Sequence, residues 1–272
     1  MFVIVLSFVL IGVLVGVLAG MFGFGGGLII VPAIVTFISI HESLFVSNSM
    51  HIAVATSLFV MFFTSIKTTY AHYKANNIIW SIALKLKMGL IIGTILGATM
   101  ASYLSSSLLE SLFIIFLIYT VIKLVLKMLN SAKSTADEYY TNVDKPLPIL
   151  LYIYGIFTGF VSVVLGIGGS IIIVPFLRSR NYRLTTAAAI ASSIVPFLAL
   201  FGAISYIVAG YGLSNLPYYC LGFVYLPVAI SLIVGSFMGV SMGVNLSGRV
   251  SQKIQNRAYL VIMITILIVM IL

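Results

Sequence analysis

The sequence predicts an all-α fold: a polytopic helical membrane protein of two inverted-topology repeats, each a glycine-broken helix hairpin plus three transmembrane helices. Three observations carry that expectation. Of 272 residues, 62% are apolar and only 7% charged, with a mean hydropathy of +1.25. A soluble domain carries about a quarter charged residues, so here lipid has to cover the surface. The apolar residues fall in continuous runs near the ~20 residues that cross a bilayer, not in the alternating ten-residue segments of a β-barrel. Finally, the second half of the chain repeats the grammar of the first.

The apolar segments run in order over 2–20, 27–39, 44–66, 82–104 and 108–129, then 148–165, 169–177, 184–208, 217–244 and 254–272. They divide the chain into a first repeat (1–130), a cytoplasmic linker (131–147) and a second repeat (148–272). The linker holds Asp137, Glu138 and Asp144, three of the five acidic residues. The second and seventh segments are too short to span a core of about 30 Å at ~1.5 Å per residue. The first segment lacks a basic leader and runs into glycines instead of a cleavage site, so it reads as a helix of the mature protein.

The repeat is visible residue by residue. Gly12, Gly16, Gly23, Gly25, Gly26 and Pro32 recur 143 positions later as Gly155, Gly159, Gly166, Gly168, Gly169 and Pro175. "GTILGATMASYL" (93–104) returns as "GSFMGVSMGVNL" (235–246).

A net charge of +9 suggests nucleic acid in a soluble protein, but here the fourteen basic residues report orientation. Lys67, Lys74, Lys85 and Lys87 surround one loop, and Lys123, Lys127, Lys133 and Lys145 flank the linker. Arg178, Arg180 and Arg183 fill a third loop, and Arg249, Lys253 and Arg257 a fourth. The loops near 40–44, 105–110 and 209–216 have none. Placing the basic loops in the cytoplasm makes the two repeats antiparallel. Both termini then lie outside a multi-pass protein of the cytoplasmic membrane. Nucleic acid is not an expected partner.

Inverted repeats that each carry a glycine-interrupted segment are the mark of a secondary transporter working by alternating access. Non-helical backbone at membrane depth must be shielded or line a polar cavity, and glycine lets a ligand approach the main chain. After each break a short helix begins, near Gly27 and Ser170. Its first amides are unpaired and carry the positive end of the dipole. Two such ends facing each other make an anion site. The expected substrate-binding residues are therefore Gly23, Phe24, Gly25, Gly26 and Gly27 with Gly166, Ile167, Gly168, Gly169 and Ser170. No carboxylate falls inside a span, since Glu42 and Glu110 sit at loops; carriers of protons and sodium usually keep one there. Gly89, Gly93, Gly97 and Ala101, and Gly235, Gly239 and Gly243, read instead as close-packing stripes.

These two motifs, "GMFGFGGGLIIVP" and "GFVSVVLGIGGSIIIVP", each closed by "VP", resemble the TauE/SafE family of sulfite exporters, a group of anion and organosulfonate permeases. The resemblance covers essentially the whole chain. It implies transport of a small anion such as sulfite, an organosulfonate or a related sulfur-containing or organic acid. The expected partners are that anion and the bilayer; a coupling proton or sodium ion and an oligomer are both compatible with it.

"ATS" and "ASS" occupy matching places on the third segment of each repeat, so Thr56, Ser57, Ser192 and Ser193 are further candidates. Their hydroxyls can serve an anion or bond back to their own helix. His51, near Asn48, is the one titratable side chain placed well inside a span; it packs as a core histidine or carries a proton. His41 and His72 read as loop residues. Three dispersed histidines and the single Cys220 form no metal set, Cys220 leaves no partner for an internal disulfide, and no cofactor is called for. Trp80, Tyr218 and Tyr219 read as interfacial anchors. Two rivals remain beside the permease: an anion channel with the same glycine-turn site, and a membrane enzyme. The second lacks a nucleophile, carboxylate pair or metal cluster in its spans.

Overall fold

The computed structural model describes residues 2–22, 26–40, 46–74, 76–130, 146–213, 216–247 and 252–271. Within them the chain forms ten α-helices: α1 (Phe2–Phe22), α2 (Gly27–Ile40), α3 (Ser49–Lys74), α4 (Trp80–Tyr103), α5 (Ser106–Asn130), α6 (Pro148–Leu165), α7 (Ser170–Arg178), α8 (Leu184–Ala209), α9 (Leu226–Ser247) and α10 (Gln252–Ile271). Six of them, α3, α4, α5, α6, α8 and α9, are long and apolar enough to cross a membrane. The short arms are α2 and α7, of 14 and 9 residues. At ~1.5 Å per residue neither spans a ~30 Å core. Proline and glycine bound α6 at its two ends. Pro148 opens α6 at a position where its missing N–H costs nothing, and Gly166 closes it.

The expected helix boundaries need two corrections. Residues 217–225 do not begin a helix. Cys220–Leu221 (β1) and Val224–Tyr225 (β2) pair as an antiparallel hairpin, with Tyr219 and Gly222 at φ 69° and 54°. Positive φ at two sites cannot continue a helix. Pro227 then lies in the first turn of α9, where helices tolerate proline. The third segment, expected to end at 66, continues to Lys74. Lys67 and His72 are therefore helical, and Lys67 Nζ donates to the Phe237 carbonyl on α9.

The helices pair across the two halves of the chain. α1 packs along α9, α6 along α4, and α3 on α8. Glycine makes the first two contacts possible. A Cβ on Gly12 or Gly16 would fall on the carbonyls of Leu232 or Ser236, and one on Gly235, Gly239 or Gly243 on those of Val9, Val13 or Val17. The other interface is built the same way. Gly155 and Gly159 of α6 face the carbonyls of Leu86 and Leu90, while Gly89, Gly93 and Gly97 of α4 face those of Tyr152, Ile156 and Phe160. Backbones in direct contact gain dispersion and Cα–H···O interactions that lipid cannot match. The stripes thus pack as their spacing suggested, each joining one half to the other.

α3 and α8 form the centre, and nearly every side chain of α3 from Met50 to Leu58 is fully buried. Pro196 removes the amide that would pair with the Ser192 carbonyl. Thr69 on α3 fills that vacancy, its hydroxyl donating to Ser192 O at 2.8 Å. α5 and α10 lie outside, where Ile115, Ile122, Val261 and Ile268 face lipid. Trp80 is exposed at the start of α4, and Tyr218 and Tyr219 just before β1.

Candidate functional site

The turn between α6 and α7 is fully described. Leu165 ends α6, and Gly166 takes the left-handed conformation (φ 67°, ψ 27°) that glycine adopts without strain. The Gly166 and Ile167 amides both return to the Ser162 carbonyl, the latter at 2.9 Å, closing the helix. After Gly168 and Gly169 a new helix starts at Ser170, and the Ile172 and Ile173 amides bond the Gly169 carbonyl at 3.2 and 3.1 Å. The Ile171 amide therefore stands at the amino end of α7 without an intrahelical partner. No side chain caps that end.

The start of α2 lies directly against this turn. A Cβ on Gly27 would meet the Gly166 carbonyl oxygen, with Ile167 Cα and the Met61 sulfur each at 3.0 Å. A Cβ on Gly166 would stand 2.9 Å from Val31 on α2 and 3.0 Å from Val54 Cα on α3. Ser57 completes the junction, its hydroxyl donating to the Gly166 carbonyl at 2.9 Å. Ser57, Gly166, Ile167, Gly168, Gly169 and Ser170 are all buried. At α2 the Ile29 and Ile30 amides bond the Gly26 carbonyl at 3.1 and 3.3 Å, as those of Ile172 and Ile173 bond Gly169. Gly23, Phe24 and Gly25 lie outside the described residues.

The remaining candidates divide. Thr56, next to Ser57, accepts a hydrogen bond from the Tyr225 amide at 3.0 Å and so holds β2 against α3. Ser192 and Ser193 turn back to their own helix, donating to Ala189 O at 3.1 Å and Ile190 O at 2.7 Å. His51 belongs to another junction. Its Nε2 donates to Ala101 O at 3.1 Å, and its Nδ1 lies 3.3 Å from the Ser106 hydroxyl. Ser106 in turn donates to Ser47 O at 3.0 Å, and the imidazole stacks on Phe223 with ring centres 5.2 Å apart. Asn48 ends the 3₁₀ turn Val46–Asn48 just before α3. His51 therefore joins the start of α3 to the α4–α5 turn and the hairpin. Cys220 is half-buried on β1, where burial pushes its thiol up to about 11. A thiol so raised is a weak nucleophile at neutral pH.

Reading the sequence missed three hydroxyls. Thr94 on α4 and Thr158 and Ser162 on α6 are fully buried and make no hydrogen bond. Thr158 borders the break through its methyl, Cγ2 lying 2.9 Å from where a Cβ on Gly169 would stand. The available signal was the i, i+4 spacing of two polar residues either side of Gly159, just ahead of the glycine motif. Among the described residues no group of three His, Cys, Asp or Glu side chains is placed to hold a metal ion.

A family model described as "Sulfite exporter TauE/SafE" matches residues 8–270. The chain is 32% identical over 267 residues to a protein of Methanocaldococcus jannaschii described as a probable membrane transporter, covering 96% of this chain and 92% of that one. It is 30% identical over 240 residues to a protein of Haemophilus influenzae with the same description, covering 87% and 86%. No solved structure matches significantly.

Proposed function

This chain belongs to the TauE/SafE family, and from that premise we propose that it is a secondary transporter for a small anion. Sulfite, an organosulfonate or a related organic acid is the substrate class. One observation carries the reading: the start of α2 abuts the α6–α7 turn in the buried centre of the bundle, with Gly27 against Gly166 and the Ser57 hydroxyl donating to the Gly166 carbonyl. The amino end of α2 meets the turn that leads into α7, where the sequence places no carboxylate to attract a cation, and a helix amino end favours negative charge. The basic loops support an antiparallel arrangement of the two halves, with both termini outside the cytoplasmic membrane. Alternating access then moves the glycine-joined units α1–α9 and α4–α6 about the central α3–α8 pair.

Counterflow in liposomes tests this. Purified protein should accelerate uptake of labelled sulfite, methanesulfonate or acetate into vesicles preloaded with the same unlabelled anion, saturably. Gly168→Val should remove that flux while the melting temperature stays near the parent value. A flux that never saturates and shows no counterflow identifies a channel instead.

A further inference from the structure

The junction around His51 is one proton short of closing its hydrogen bonds. The Ala101 carbonyl, 3.1 Å from Nε2, can only accept, so Nε2 carries the single proton of a neutral imidazole. Nδ1 is then a bare acceptor, 3.3 Å from the Ser106 hydroxyl. That hydroxyl has one proton to give, and the Ser47 carbonyl at 3.0 Å claims it too. Two acceptors thus share one donor, and one of them goes without. A second proton on the ring removes the conflict. Nδ1 then donates to Ser106, Ser106 to Ser47 and Nε2 to Ala101, and the whole chain of contacts is satisfied.

The surroundings suit a proton as ligand. His51 lies in the first turn of α3 and is 4% exposed, while Ser106 is half-buried and Ser47 exposed. A proton from water therefore reaches Nδ1 through one hydroxyl. Phe223 lies along the ring, with centres 5.2 Å apart, and an aromatic face attracts a cation. The ionisable groups on the surrounding elements are Tyr103 of α4, Glu110 of α5, Tyr206 of α8, and Tyr219, Cys220 and Tyr225 in and before the hairpin. Among the described residues none of them hydrogen-bonds or ion-pairs with the imidazole. His41 and Glu42 lie outside the described residues. Burial and the amino end of α3 work against a lasting charge, so the proton leaves when the chain of bonds opens.

In the register that matches "ATS" to "ASS", the second half has Ala187 in this place, so the chain carries the arrangement once. His51 stands on α3, in the central pair, and Ala101 in the last turn of α4, which packs along α6. We propose that His51 is a proton-binding site, and that proton uptake ties the end of α4 to α3 and slows transport in acid. The slowing rests on the anion-transport reading above; the proton site does not.

Two measurements test these halves separately. Nitrogen NMR of the labelled full chain with His41→Gln and His72→Gln leaves one imidazole, which should pass from neutral to charged between about pH 8 and 5. A ring that stays neutral across that range overturns the site. Counterflow of sulfite, methanesulfonate and acetate in liposomes is then read at equal pH on both sides. Parent flux should fall about tenfold on acidification, the effect of one hydrogen bond to a charged group, and flux of His51→Gln should not follow it. The ratio of the two cancels any titration of the anion itself. Ser106→Ala keeps the ring, removes the acceptor of the added proton and should lose most of the response, whereas His72→Gln should keep it. A response that survives in His51→Gln or Ser106→Ala, or a parent flux indifferent to pH, overturns the tie. No saturable flux of any of the three anions overturns the transport reading and the slowing with it, and the NMR titration then decides the proton site by itself.

Discussion

The two glycine breaks stand 143 residues apart with the same spacing of glycine and proline, yet they solve different problems. At the first, Gly26 sits at φ 82° with Val15 pressed against it; the residue has to be glycine. At the second, the corresponding Gly169 has ordinary helical angles (φ −61°, ψ −12°) and faces Thr158. Backbone freedom is spent at Gly166 instead. The duplicated chain thus supplies a common frame, and substitutions at a few facing positions set the two turns apart, with Val15 against Gly26 at one and the Thr158 methyl against Gly169 at the other.

Four measurements break or sharpen this contrast. The largest difference is expected between Gly26→Ala and Gly169→Ala. The first combines left-handed strain with a collision on Val15 and should cost about 3 kcal/mol. The second displaces only the Thr158 methyl and should cost about 1 kcal/mol or less. Chemical denaturation in detergent reads both, and equal losses would show the breaks to be alike. Next come the packing stripes, where the halves should agree. Gly93→Ala and Gly235→Ala each drive a methyl onto a facing carbonyl, so each should lose about 2 kcal/mol, within ~1 kcal/mol of the other. A large disparity there would mean the scaffold itself is lopsided.

A smaller effect separates Ser57 from Ser193, which hold matching places in "ATS" and "ASS". Ser57→Ala leaves the Gly166 carbonyl without its donor and should cost about 1–2 kcal/mol. Ser193→Ala removes a bond within one helix and should cost about 0.5 kcal/mol or less. The smallest effect touches reactivity alone. Because burial holds the Cys220 thiol near 11, the reactive thiolate is scarce at pH 7 and grows about tenfold per pH unit below that value. Alkylation by an impermeant maleimide should therefore quicken from pH 7 to 9, and in intact cells it should occur from outside. Labelling only in inverted vesicles would reverse the orientation inferred from the basic loops.

Much of this architecture could be read from residues alone, for physical reasons. Lipid forces every backbone amide in a span to pair internally, so hydropathy runs map onto helices, and glycines at adjacent positions cannot form one helical stripe. What the sequence concealed depends on partners distant in the chain. Nothing near Gly12 says that it faces Leu232, or near Gly93 that it faces Ile156. Ser57 and Ser193 look equivalent locally and differ only in what stands opposite. Thr158 and Ser162 resemble any back-bonded helix hydroxyls until the structure shows them without partners. The hairpin at Cys220–Tyr225 was hidden because Tyr, Cys, Leu, Phe and Val suit a membrane helix and a strand equally well.

The packing of α1 on α9 and of α6 on α4 also sets a schedule for biosynthesis. Each glycine stripe finds its mate only in the other half of the polypeptide, so α1 enters the bilayer with bare backbone ridges and waits until residues near 235 have left the ribosome. At about 5–20 residues per second that wait is on the order of ten seconds or more. A nascent chain stopped within 131–147 would hold α1 and α4 with both their mates still unmade. The two fragments made separately in one cell should each be short-lived alone and persist when they meet, because each completes the interfaces the other lacks.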